Sequence, residues 1–244
     1  MAKEALDKID GRKRERIFGA AAAEFARHGY HKANVNSIAQ RASIGKGSIY
    51  LYFTDKRDLY YSTFKEAVRL QDRIFDEIER TAHDPVEKIK RVFRESLITF
   101  PRYRNMYKMY FELSASGDAK FLADLAQLLE RRSADFFIRV LREGIESGSL
   151  REDLPVEHAA YVMDSIYTLF LATLASRYQR ERFRVFTNSE ITSNGEMIER
   201  HMDVILNVLE TGITSCQGTR GSGSRQSPER WNTRRVGRNK GGST

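Results

Sequence analysis

The chain is poor in the residues that staple, break or bridge a fold. It has one cysteine, Cys216, in 244 residues. An intramolecular disulfide and a cysteine-based zinc site are therefore both excluded. Its four prolines, Pro85, Pro101, Pro155 and Pro228, leave long stretches open to helix. No apolar run reaches the roughly 18 residues that a membrane helix needs. The longest apolar-leaning stretch, Tyr167 to Ala175, covers half a bilayer at most. Residues 1–10 alternate charges and lack the apolar segment of a secretory signal. Alternating β-branched runs are almost missing too, so a sheet has little to be built from. The expectation is a cytoplasmic protein with no membrane contact.

What is present is charge, and it is unevenly placed. Residues 1–56 carry 11 Lys/Arg against 6 Asp/Glu, a net +5. Residues 57–214 carry 23 against 26, a net −3, and residues 215–244 carry 7 against 1, a net +6. A basic head and tail around a near-neutral body predict that any polyanion is met at the ends. The tail is made of Gly, Ser, Thr and Arg with almost no apolar side chain. It cannot bury enough surface to offset its ordering entropy, and it reads as a disordered basic segment.

Apolar residues recur at spacings of three and four. Ile17, Ala21 and Phe25 form one stripe, and Ile89, Phe93 and Leu97 another. Leu122, Leu125 and Leu129 lead into Phe136 and Val140. This period predicts an all-α protein. The expected helices are 12–28, 35–42, 46–53, 55–81, 85–100, 103–114, 118–147, 155–182 and 196–213, with 184–195 as a loop. Asp84 before Pro85 reads as a cap followed by proline in the first helical position. Asn34 reads as the cap of the second helix, and Gly29, Gly117 and Gly148 as helix ends.

The stretch from Gly29 to Tyr60 is the most informative. Two short amphipathic helices are separated by Ala42-Ser43-Ile44-Gly45. A turn that short sets the helices steeply, in helix-turn-helix geometry, with helix 12–28 as the third wall. Such a unit inserts the N-terminal end of its second helix into the major groove. Here that end is Gly45-Lys46-Gly47-Ser48. Gly47 has no side chain to hold the backbone off a duplex, Lys46 donates to a base edge or phosphate, and Ser48 donates or accepts. The Tyr50 and Tyr52 hydroxyls reach toward phosphates, and Lys56 opens the next helix, where an anion is favoured. Phe53 reads as core. His28 and His31 read as surface residues, and no metal site is expected.

This stretch resembles the TetR family of bacterial transcription regulators. The resemblance rests on Gly29-Tyr30, Ile38-Ala39, Lys46-Gly47-Ser48-Ile49-Tyr50, Tyr52-Phe53 and Lys56, and it is dense over residues 12–65. It implies a helix-turn-helix DNA-binding domain over 1–56 and a ligand-binding, dimerising helical bundle over 57–214. It further implies that Asn36, Lys46, Gly47, Ser48, Tyr50, Leu51, Tyr52 and Lys56 touch DNA. Family members often carry a hydroxyl residue where Val35 stands, so Asn34 and Asn36 take its place in the argument. The implied function is that of a repressor that binds a palindromic double-stranded operator as a homodimer. A small hydrophobic effector would release it, with no cofactor.

The body supports a pocket independently. Residues 100–111 crowd aromatics and methionines around more than one helix face, and such side chains line adaptable apolar sites. The candidate lining is Phe93, Leu97, Phe100, Met106, Tyr110, Phe137, Met163 and Tyr167. Arg104 and Glu112 either pair or address a polar ligand head. Helices 155–182 and 196–213 are the dimer candidates, through the small residues Ala159, Ala160, Ala172, Ala175 and Ser176 and the stripe Ile205, Val208 and Leu209.

An enzyme finds no support: Gly45-Lys46-Gly47-Ser48 lacks the spacing of a phosphate loop, because position 40 is Gln and position 47 is Gly. An effector-independent architectural DNA binder, holding DNA mainly through the basic tail, is the alternative to the regulator.

Overall fold

The computed structural model describes Leu6 and residues 9–113, 119–191 and 195–214. These residues form α1 (Gly11–Lys32), α2 (Val35–Arg41), α3 (Lys46–Tyr52), α4 (Lys56–Thr81), α5 (Pro85–Phe111), α6 (Ala119–Glu146), α7 (Val156–Ala175), α8 (Arg177–Thr187) and α9 (Gly195–Ile213). No strand occurs among them; Leu150 and Thr214 make one isolated antiparallel bridge. The all-α expectation is met. The tail at 215–244 and Gly117 lie outside the described residues.

Local chemistry explains the helix starts. Asp10 accepts from the Arg12 and Lys13 amides at 3.1 and 3.3 Å, and Asn34 from the Asn36 amide at 2.9 Å. Asp84 accepts from the Glu87 amide at 2.8 Å, with Pro85 behind it. Each bond satisfies a donor that has no partner inside its helix. Gly29 interrupts α1 at φ 67°, ψ 171°, a backbone that glycine adopts without steric cost.

Two boundaries differ from the periodicity reading. First, 85–100 and 103–114 are one helix, because α5 runs unbroken through Pro101. An interior proline costs about 3 kcal/mol, but α5 is held at both ends. Phe100 is buried in the body core and Met109 in the head core. Packing on either side outweighs the missing hydrogen bond. Second, 155–182 is two helices. The chain turns at Ser176, which is extended (φ −111°, ψ 134°), and α7 and α8 lie at 113°. Composition changes at that residue. α7 is apolar and largely buried, whereas α8 carries four arginines and buries nothing. α8 also extends to Thr187, into the stretch expected to be loop.

Two hydrophobic cores meet within α4. Leu59, Tyr60 and Phe64 close the head core on Phe18, Phe25, Ile38, Ile49 and Phe53. Further along, Phe75 and Ile78 enter the body core, where Phe75 stacks on Phe136 at 4.6 Å. The first half of α4 is thus structurally part of the head. Met109, Leu125 and Leu129 reach the head core from α5 and α6.

Candidate DNA-reading face and ligand cavity

The helix-turn-helix is braced from α1. Buried Glu24 accepts from the Asn34 amide at 3.1 Å, and the Arg16 guanidinium donates to the Ala42 carbonyl at 3.3 Å. The turn passes through Ser43 at φ 54°. Ile38, Ala39, Ala42, Ile49 and Phe53 are buried beneath it. Lys46 and Gly47 are exposed at the tip of α3, and a Cβ added to Gly47 would meet nothing within 4 Å. Asn36, Tyr50 and Leu51 share that exposure, Leu51 at 62%, and Ser48 is half-buried. A leucine this exposed on a seven-residue helix has no folding role and suits contact with a thymine methyl.

The other two candidates are held back by the protein itself. Tyr52 is half-buried, and its phenol accepts from Lys13 Nζ at 3.0 Å. Lys56 is half-buried too; its Nζ donates to the His31 and Ala33 carbonyls at 2.9 and 3.4 Å and lies 5.0 Å from the Tyr30 ring centroid. Lys56 neutralises the carbonyl end of α1, a role that its place at the start of α4 concealed. Spacing gives no sign of the Lys13 contact either, since 39 residues separate it from Tyr52.

In the body, a cavity of about 100 Å³ lies between α4, α5, α6 and α7. Met106, Tyr110 and Tyr167 of the expected lining reach its wall. Phe93, Phe100, Phe137 and Met163 do not; they are buried in the core, with Leu97 packed beside them. Helical spacing marks which residues face inward, but not which of them border a void. The wall also includes Phe64, Ile74, Tyr103, Tyr107 and Phe111, with Ser96, Glu130, Ser133 and Asp164 among its polar residues. Ser96 and Tyr167 hydroxyls are 2.7 Å apart, and Tyr110 donates to Glu130 at 2.8 Å. Burial holds the Glu130 carboxyl above the usual range despite the Tyr110 bond, and neighbouring Asp164 pushes it the same way. Burial likewise raises Asp164, against a hydrogen bond with Ser133. Arg104 and Glu112 are on the surface.

A groove of about 790 Å³ adjoins the cavity and shares Tyr110, Phe111, Glu130, Ser133, Asp164 and Thr168 with it. Beside the groove, α7 exposes Tyr161 at 74%, Val162 at 49% and Leu169 at 39%. On α9, Val204 and Val208 are exposed, whereas Ile205 and Leu209 pack on their own core. The small residues Ala160, Ala172 and Ala175 are buried within the protomer. No single helix among the described residues is long and apolar enough to cross a membrane.

A braced helix-turn-helix with an exposed glycine-lysine tip, mounted on a cavity-bearing bundle, defines the class of two-part DNA-binding regulators. The family model for bacterial regulatory proteins of the tetR family matches residues 17–62. The fatty acid metabolism regulator protein of Bacillus subtilis is 33% identical over 159 residues, covering 59% of this chain and 73% of the relative. The transcriptional repressor KstR2 of Mycolicibacterium smegmatis is 28% identical over 150 residues, covering 59% and 71%. Among solved structures, the B. subtilis regulator FadR in complex with stearoyl-CoA superposes with a TM-score of 0.64 at 24% identity, covering 81% of this chain and 98% of that one. The chain belongs to the TetR family of bacterial regulatory proteins, and it is a DNA-binding transcriptional regulator.

Proposed function

We propose that this regulator is a repressor that binds a palindromic operator as a homodimer in the bacterial cytoplasm and is released by a small hydrophobic effector. Residues 1–56 read DNA, and residues 57–214 bind the effector and dimerise. The observation that carries the reading is the exposed Lys46-Gly47 tip held on a braced scaffold. Asn36, Ser48, Tyr50 and Leu51 flank it. Tyr52 and Lys56 join the contact set by exchanging Lys13 and the α1 carbonyls for phosphates. The apolar faces of α7 and α9 supply the twofold interface, which sets two heads on one side of a duplex.

The effector site is the cavity with its adjoining groove. The FadR relative solved with stearoyl-CoA, a ligand with a long apolar chain, supports an apolar effector. Tyr103 and Met106 of α5 border both the cavity and a cleft of about 180 Å³ against α1. Next to them, Arg102 donates from Nε to Glu15 of α1 at 3.0 Å. Filling the cavity moves this turn of α5 against the head, and it shifts DNA affinity only by the effector's preference for one of the two arrangements.

The test is selection of fragmented genomic DNA by the full chain at about 0.15 M salt, followed by sequencing. The expected result is a motif with twofold symmetry, lost in Lys46→Ala. Recovery of DNA without sequence preference overturns the reading in favour of an architectural role.

A further inference from the structure

The polar end of the cavity has one sign of charge. Glu130 of α6 and Asp164 of α7 both border the cavity and the groove. Among the described residues, no Lys, Arg or His lines either space. The arginines that follow Glu130 in sequence are engaged elsewhere. Arg131 pairs with Asp135 at 3.1 Å, and Arg132 pairs with Asp72 and Asp76 of α4 at 3.4 and 2.6 Å. Glu130 accepts from the Tyr110 hydroxyl at 2.8 Å, and the Ser133 hydroxyl beside Asp164 donates to the Glu130 backbone carbonyl at 3.2 Å. Hydroxyls do not neutralise a charge.

A second, separate feature points the same way. Gln179 of α8 lines the groove, and its Oε1 is buried without any hydrogen-bond partner. Three acceptor groups on three helices therefore border one space. Glu130 and Asp164 are half-buried; an acceptor withdrawn from water without a partner is costly, and a carboxylate without a counter-ion more so. A ligand that donates hydrogen bonds and carries positive charge relieves both. Phe111 borders both this groove and the cavity, and Tyr103 and Tyr107 border the cavity; aromatic faces attract organic cations.

We infer that the effector is an organic cation: a protonated amine or quaternary ammonium set between Glu130 and Asp164, with an apolar body along the aromatic wall. This rests on the cavity being the effector site, and it specifies the head group that the site takes. An anionic head would add a third negative charge beside two carboxyls, so a free fatty acid is disfavoured.

The test uses three probes of equal chain length, decylamine, 1-decanol and decanoate, each kept below its aggregation limit. They are titrated calorimetrically into the full-length protein at neutral pH. The expected order is amine, alcohol, carboxylate, with the amine at least about tenfold tighter than the alcohol, the ratio that one modest charge-assisted contact gives. In Glu130→Gln/Asp164→Asn the amine falls to the alcohol's affinity. The readout is the ratio of amine to alcohol affinity in that variant, and a cooperative thermal melt reports that its fold is intact. Decanoate binding as tightly as the amine overturns the charge assignment and leaves the apolar effector site standing. An amine preference that survives the double substitution overturns it as well. Failure of all three probes to bind overturns the cavity as the effector site and this inference with it.

Discussion

Arg14 on α1 grips Glu66 on α4 with two nitrogens on one oxygen, Nε at 2.8 Å and Nη2 at 2.7 Å. The side chains are 16% and 9% exposed. The pair ties α1 to α4 beside the head core. Removing one partner of such a pair strands the other charge out of water. Glu66→Ala should destabilise the protein by about 3 kcal/mol, read as a lower urea midpoint. Arg14→Met/Glu66→Leu, which removes both charges, should recover most of that loss. A double variant as weak as the single would mean that packing at this site, and not the stranded charge, sets the cost.

Gly47 offers a separation of folding from DNA binding. It lies inside α3, where alanine is favoured over glycine by roughly 1 kcal/mol, and a Cβ there meets open space. Gly47→Ala should therefore leave the melting temperature unchanged or slightly higher. Against a duplex the same methyl group pushes the backbone away, and operator affinity should fall at least about tenfold, a loss of 1.4 kcal/mol or more. Lys46→Ala should reduce the salt slope of DNA binding by about one ion if it contacts a phosphate. It should instead relax specificity at one base pair if it contacts a base. Fluorescence anisotropy over a salt series distinguishes the two.

Ser43 occupies a conformation that a side chain pays to adopt, φ 54° in the turn between α2 and α3. Left-handed backbone costs a non-glycine residue about 1–2 kcal/mol, of which glycine's greater freedom in the unfolded chain returns part. Ser43→Gly should raise stability by about 0.5–1 kcal/mol. Thermal melts measure this directly, and a lower melting temperature would mean that the serine hydroxyl holds the turn.

Much of this architecture was legible in the sequence because its causes are local. Asp84-Pro85 and Asn34 declared helix starts through their own side chains, and the buried spacing of Ile38, Ala39 and Ile49 declared the helix-turn-helix. The rest depended on partners distant in sequence. Pro101 reads as a break until Phe100 and Met109 are seen anchoring α5 in two cores. The bend at Ser176 follows a change from apolar to arginine-rich composition that a periodicity count passes over. Lys56 turns back to α1, and Tyr52 meets Lys13, neither of which spacing reveals. The cavity is a property of how four helices fail to fill a space, so inward-facing residues such as Phe93 and Met163 were indistinguishable from those that border it.

The carboxyl pair makes the ligand-free protein's stability depend on pH with a definite sign. Burial raises both Glu130 and Asp164 above their ordinary values; Asp164 adds its charge to Glu130, while the Tyr110 and Ser133 hydroxyls pull the other way. A carboxyl raised in the folded state binds its proton more tightly there than in the unfolded chain, where it titrates near 4. Below that value both states are protonated and the full stability is present. As pH rises through the folded value the folded state must ionise at a cost, and stability is lost. Asparagine mimics the protonated form and escapes the cost. Asp164→Asn should therefore be more stable than the wild type at pH 7.5 by about 1 kcal/mol, the scale of one buried polar group left poorly paired. That advantage should shrink as pH is lowered to 5. Paired thermal melts at the two pH values measure it. An advantage independent of pH would trace the gain to packing, and would mean that Asp164 holds the same proton occupancy in the folded and unfolded states throughout this range.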